Sequence, residues 1–127
     1  MPIYNKLVRD LIPEIIDKRS SVSIRILNHS EHLKEMKRKL YEEVREFDES
    51  TSRSEALEEL ADVLELIHAT LPFYEATYEQ LEEIRLRKKE KRGGFEKGVY
   101  LIEVKKLPLS SISPLFWSSA FLYLFPM

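Results

Sequence analysis

The 127-residue chain contains no cysteine. That excludes disulfides, thiolate chemistry and cysteine-ligated zinc. Glycine is scarce, with only Gly93, Gly94 and Gly98, and no Gly-x-x-x-x-Gly-Lys run is present. A P-loop nucleotide site is therefore unsupported. His29, His32 and His68 lack the spacing of a zinc site, and no Ser-His-Asp arrangement can be read. The opening Met1-Pro2-Ile3-Tyr4-Asn5-Lys6 lacks the apolar run of a signal peptide, which points to the cytoplasm. No apolar run is long enough to span a bilayer. The longest candidate lies between Pro114 and Pro126, shorter than the roughly 17 residues a membrane helix needs.

The chain has 43% apolar and 33% charged residues, an ordinary balance for one helical domain. A helical domain this small often completes its core by dimerising. The net charge of −2 hides a split. Residues 42 to 65 hold ten acids against Arg45 and Arg53. Residues 85 to 97 hold Arg85, Arg87, Lys88, Lys89, Lys91, Arg92 and Lys97 against Glu90 and Glu96. Two solvated helix faces of opposite sign explain this division. So does a site for a phosphate substrate carried with a cation.

The acids fall into two clusters, Glu42-Glu43-Val44-Arg45-Glu46 and Glu58-Glu59-Leu60-Ala61-Asp62. Glu43/Glu46 and Glu59/Asp62 are three apart, so each pair shares one helical face. Two helices side by side would bring four carboxylates together. Such crowding is unfavourable without a positive charge between them. A hard divalent cation that prefers oxygen, Mg²⁺ or Mn²⁺, is the natural counter-charge.

Periodicity places these clusters on helices. Pro13 favours a first turn, predicting a short helix over about Leu11 to Arg19. The alternation in 22–27 reads as a short strand, with Val99 to Val104 as its pairing partner. Ser30 is read as the N-cap of a helix over Glu31 to Glu49. Leu33, Met36, Leu40, Val44 and Phe47 form its apolar stripe, and Glu43 lies at the edge, predicted partly buried. Ser52 or Ser54 caps the next helix, which Pro72 stops near Leu71. Its main stripe is Leu57, Leu60, Ala61, Leu64, Ile67, His68 and Leu71, with His68 in the core. Val63 and Leu66 fall outside that stripe, so this helix is expected to be covered on two sides. A further helix runs over about Thr77 to Lys91 and stops at Gly93-Gly94. Phe73, Tyr74 and Tyr78 are read as packing residues at a helix junction. The uncharged segment 107–127 is set apart from the domain 1–106; its role is open, with packing on the body or a partner, or disorder, favoured over lying on a membrane.

The K-L-x-E-E-x-x-E run from Lys39 to Glu46, followed after a short gap by E-E-L-A-D from Glu58 to Asp62, resembles the MazG-like all-α nucleoside triphosphate pyrophosphohydrolases. Asn5-Lys6-Leu7-Val8-Arg9-Asp10-Leu11-Ile12-Pro13 and Arg92-Gly93-Gly94-Phe95 look like the ends of a phosphoribosyl-ATP pyrophosphohydrolase-like subgroup. The resemblance covers about Pro2 to Val104. It implies a mainly α helical bundle, working as a homodimer or homotetramer, with room for a small two-stranded β pair.

It further implies Mg²⁺-dependent hydrolysis of a nucleoside triphosphate to monophosphate and pyrophosphate, clearing non-standard nucleotides. Glu43, Glu46, Glu59 and Asp62 would hold Mg²⁺ (or Mn²⁺), and Glu42 would orient the attacking water. Lys6, Arg9, Lys88, Lys91 and Arg92 are candidates for phosphate contact. A true phosphoribosyl-ATP pyrophosphohydrolase and a non-catalytic helical nucleotide-binding or dimerisation module are the alternatives. No nucleic-acid partner is expected.

Overall fold

Residues 3–106 are described by the computed structural model, and they are mainly helical. Four α-helices follow one another: α1 (Ile12–Ile15), α2 (His29–Glu49), α3 (Arg53–Thr70) and α4 (Tyr78–Arg92). A 3₁₀ turn, Leu71–Tyr74, lies between α3 and α4. Among the described residues none forms a strand. The expected pairing of 22–27 with 99–104 is therefore corrected: neither segment forms the backbone ladder that would define a sheet. The segment 107–127 lies outside the described residues. The chain divides into two units after Tyr78.

The first unit is built on α2 and α3, which pack against each other. The connection 50–52 is short, so α3 folds back along α2 as a helical hairpin. Capping chemistry fixes its ends. Asn28, not Ser30, is the N-cap of α2: its Oδ1 accepts from the Glu31 N–H at 2.9 Å, and the Ser30 hydroxyl donates to the same oxygen at 3.1 Å. Asparagine ranks with serine as an N-cap, and starting two residues earlier frees Ser30 to brace it. Ser52 caps α3 as anticipated, accepting from the Glu55 N–H at 3.1 Å. The Glu55 carboxylate in turn accepts from the Thr51 N–H at 3.0 Å, tying the turn ahead of α3 to its first helical turn.

Pro72 stops the α-helical ladder of α3 but not the winding, because Leu71–Tyr74 tightens into 3₁₀ geometry. Phe73 on that turn packs between His29 and His32 of α2, with ring centroids 4.9 and 5.0 Å apart. This junction role was legible in the sequence. The His68 assignment was not. His68 is exposed and stacks flat on Tyr78, with centroids 4.4 Å apart.

The core is thin. Among the described residues Met36 of α2 is the one fully buried apolar side chain, at 4% exposure. The face of α3 that carries Glu59, Asp62, Val63 and Leu66 is half-buried. The face assigned as its main stripe is the open one: Leu57, Leu60 and Leu64 remain 48%, 44% and 45% exposed. Val44 and Phe47 of α2 are likewise open.

The second unit holds nearly all of α4. Leu81 is half-buried, whereas Ile84 and Lys88 are exposed. Gly93, at φ +82°, ends the helix in the left-handed conformation that glycine adopts freely, its N–H donating to the Lys89 carbonyl at 2.8 Å.

Candidate metal centre

Glu43 and Glu46 stand one turn apart on α2, and Glu59 faces them from α3. One oxygen from each of the three lies within 4.8 Å of the others. In an octahedral shell of radius about 2.1 Å, oxygens sit about 3 to 4.2 Å apart, so these carboxylates need only a small inward movement to share one cation.

Burial makes the arrangement chemically significant. Glu43 is only 5% exposed. Its Oε1 accepts from the Lys39 ammonium at 3.2 Å, while its Oε2 is buried with no hydrogen-bond partner. Glu59 Oε2 is in the same condition. Unsatisfied buried acceptors are costly and rare in folded proteins. Two such oxygens in one cluster suit the binding of a positive ligand.

The electrostatics agree. The close approach of Glu43, burial, and the neighbouring Glu46 push the Glu59 carboxyl up to about 7. Crowding by neighbouring carboxyls raises a carboxyl in this direction. The only cation in direct contact with the three acids, among the described residues, is Lys39. Its burial opposes the charge, but Glu43 and Glu42 outweigh that and hold the ammonium above its ordinary value. Lys39 lies four residues before Glu43, one turn back on the same face of α2.

Other acids of the two clusters are differently engaged. Glu42 accepts from Lys6 at 3.1 Å and from Lys39 at 3.3 Å. Burial works against its ionised form, yet the two ammonium groups prevail and hold it below the usual carboxylate range. Asp62 accepts from the Arg9 guanidinium at 2.5 Å and is not among the three converging residues. The expected four-carboxylate set is thus three carboxylates plus an arginine-bound Asp62.

Lys6 and Arg9 are brought to the rim of this cluster by the segment preceding α1. Lys88, Lys91 and Arg92 belong to the second unit. In that unit, Lys88 helps to line a surface cavity of about 530 Å³ with Arg85, Lys89 and residues 93–96. Glu65 is a residue that motif reading passed over: its charge acts on Arg9 together with those of Asp62 and Glu43. The signal was available, since Glu65 lies three residues beyond Asp62 on the same helical face.

No family model, curated protein or solved structure matches this chain. The site must be judged on its own geometry.

Proposed function

We propose that Glu43, Glu46 and Glu59 hold a hard divalent cation, Mg²⁺ or Mn²⁺, and that the chain is a nucleoside triphosphate pyrophosphohydrolase. The observation that carries the metal reading is the pair of buried, unpartnered oxygens, Glu43 Oε2 and Glu59 Oε2. All-oxygen carboxylate donors suit these ions rather than zinc or copper. When bound, such an ion neutralises charge on phosphate oxygens and lowers the pKa of a coordinated water.

The protein's own residues supply the rest. Lys39 balances the charge of Glu43 and holds its Oε1, while Oε2 is buried without a hydrogen-bond partner. Lys6 and Arg9 bring positive charge to the rim, where an anionic polyphosphate would meet it. The product pair is a nucleoside monophosphate and pyrophosphate, with non-standard nucleotides as the substrate class. The motif resemblance supplies the reaction type, and the carboxylate geometry supplies the site.

The open leucine face of α3 supports a homodimer as the working form. Leu57, Leu60 and Leu64 lie at helical spacing and are each nearly half exposed. A contiguous apolar stripe of this kind marks an interaction surface.

The test is a screen of the purified protein with Mg²⁺ or Mn²⁺ against nucleoside triphosphates and phosphoribosyl-ATP, following pyrophosphate release. Glu43→Ala is expected to abolish both Mn²⁺ uptake and release while retaining helical content by circular dichroism. A wild-type protein that binds Mn²⁺ but releases no pyrophosphate from any of these substrates would establish the non-catalytic module instead.

A further inference from the structure

The three converging acids belong to the first unit, and the second, from Glu79 onward, has a different character. Arg85, Lys88, Lys89 and Arg92 recur at spacings of three and four, so they form one stripe along α4. All four are exposed. Glu82 pairs with Arg85, and Glu96 approaches Lys89 at 3.6 Å. Residues 79–106 carry nine lysines and arginines against six glutamates, so this stretch stays positive when such pairs are counted.

Directly after the stripe, large apolar side chains face water. Gly93 and Gly98 take positive φ angles, and the Gly98 N–H donates to the Phe95 carbonyl at 3.4 Å. This turn leaves Phe95 99% exposed. Its neighbours across the surface cavity already described are Arg85, Lys88 and Lys89, so ring and cations border the same space. Further on, Val99, Tyr100 and Ile102 are 85%, 87% and 88% exposed. Glu103 is the only acid between Lys97 and Lys106. Large apolar side chains brought together at a surface mark a place of interaction.

We infer that the second unit docks on an anionic lipid surface, with the basic stripe of α4 against the headgroup phosphates and Phe95, Val99, Tyr100 and Ile102 entering the interface. Charge complementarity selects an anionic partner. The exposed aliphatic side chains select lipid over nucleic acid, because contacts to phosphate and sugar are made by cations and hydrogen-bonding groups and leave Val99 and Ile102 nothing to bury against. A polybasic segment beside an apolar one supplies the two signals that stable surface attachment takes. The sequence continues in the same vein, since 107–127 carries no charged residue and includes Phe116, Trp117, Phe121 and Phe125. No helix among the described residues is long and apolar enough to cross a membrane. Lying on a surface requires no such length. The exposure of residues 95–102 is what turns the balance toward the membrane surface, and periodicity could not supply it.

The experiment is flotation of the full chain with phosphatidylcholine vesicles containing about 30% phosphatidylserine, whose negative surface attracts polybasic segments. Pure phosphatidylcholine vesicles and a DNA duplex are the comparison probes. The assay contains EDTA and no nucleotide, so its outcome is independent of the metal and pyrophosphohydrolase readings. Wild type is expected to float with the anionic vesicles and far less with the neutral ones. Raising the salt from about 0.1 M to about 0.5 M should weaken that binding. Lys88→Gln/Lys89→Gln should lower the partition about 25-fold, at about fivefold for each cation lost, and Lys88→Arg/Lys89→Arg should retain it. Phe95→Ser/Ile102→Ser should lower it about tenfold, because less apolar surface leaves water. These positions are exposed, so circular dichroism should show unchanged helical content in every variant. A wild type that stays in solution, or floats equally with neutral vesicles, would overturn the inference. So would a Phe95→Ser/Ile102→Ser variant that binds anionic vesicles and the duplex as well as wild type does, since the stripe would then be a general polyanion contact.

Discussion

Glu59 shows what a single carboxyl can report. Its folded-state pKa, raised to about 7 by Glu43, burial and Glu46, lies above that of an unfolded glutamate. The native state therefore binds more protons than the unfolded chain between the two values. Stability must fall as pH rises through that window, and the loss is complete above the folded pKa. The metal-free protein is expected to show a lower Tm at pH 8 than at pH 5.5 in differential scanning calorimetry. Glu59→Gln should flatten that trend, because the amide never acquires the charge. Added Mn²⁺ should raise the Tm of wild type at pH 8 and leave Glu59→Gln nearly unmoved, since stabilisation by a ligand follows its affinity for the native state.

At the scale of elements, α2, α3 and α4 were readable because their signals are local, whereas the helix expected over Leu11 to Arg19 ends at Ile15. Pro13 at the opening of α1, Ser52 ahead of α3 and Gly93 after α4 act on the backbone within a turn. The N-cap of α2 was misplaced by two residues because Asn28 and Ser30 are both good caps and the sequence does not rank them. Asn28→Ala is expected to cost about 1 kcal/mol in urea denaturation, and Ser30→Ala less, because only Asn28 accepts from the helix N–H. The strands failed for the opposite reason: alternation in 22–27 is a local pattern, but a sheet needs a partner, and no ladder forms among the described residues. Both faces of α3 were expected to be covered, yet Leu57, Leu60 and Leu64 stay open while the face with Glu59, Asp62, Val63 and Leu66 is half-buried. Periodicity finds a stripe; it does not say which stripe meets α2 when the acids require the other to be covered.

For the molecule as a whole, the convergence of Glu43, Glu46 and Glu59 was legible because spacing and helix pairing suffice to produce it. The partners of Glu42 and Asp62 were not, since Lys6 and Arg9 lie 36 and 53 residues away along the chain. The exposed leucines of α3 belong to this scale as well. Wild-type protein is expected to sediment as a dimer and to show a Tm that rises with protein concentration. Leu60→Lys should shift it to monomer in analytical ultracentrifugation, because a charge placed on the stripe disfavours its burial. A wild type that sediments as a monomer at all concentrations would refute the homodimer.

One consequence follows from the connection 50–52. The three converging carboxylates come from consecutive stretches of a single hairpin, so their mutual repulsion is met as soon as α2 and α3 zip together, ahead of any distant tethering. Closing so short a loop takes well under a microsecond, which leaves electrostatic friction as a brake on the docking of the two rods. Divalent ions present during refolding should relieve that brake, and stopped-flow traces with and without Mn²⁺ would then differ in the refolding limb of the chevron.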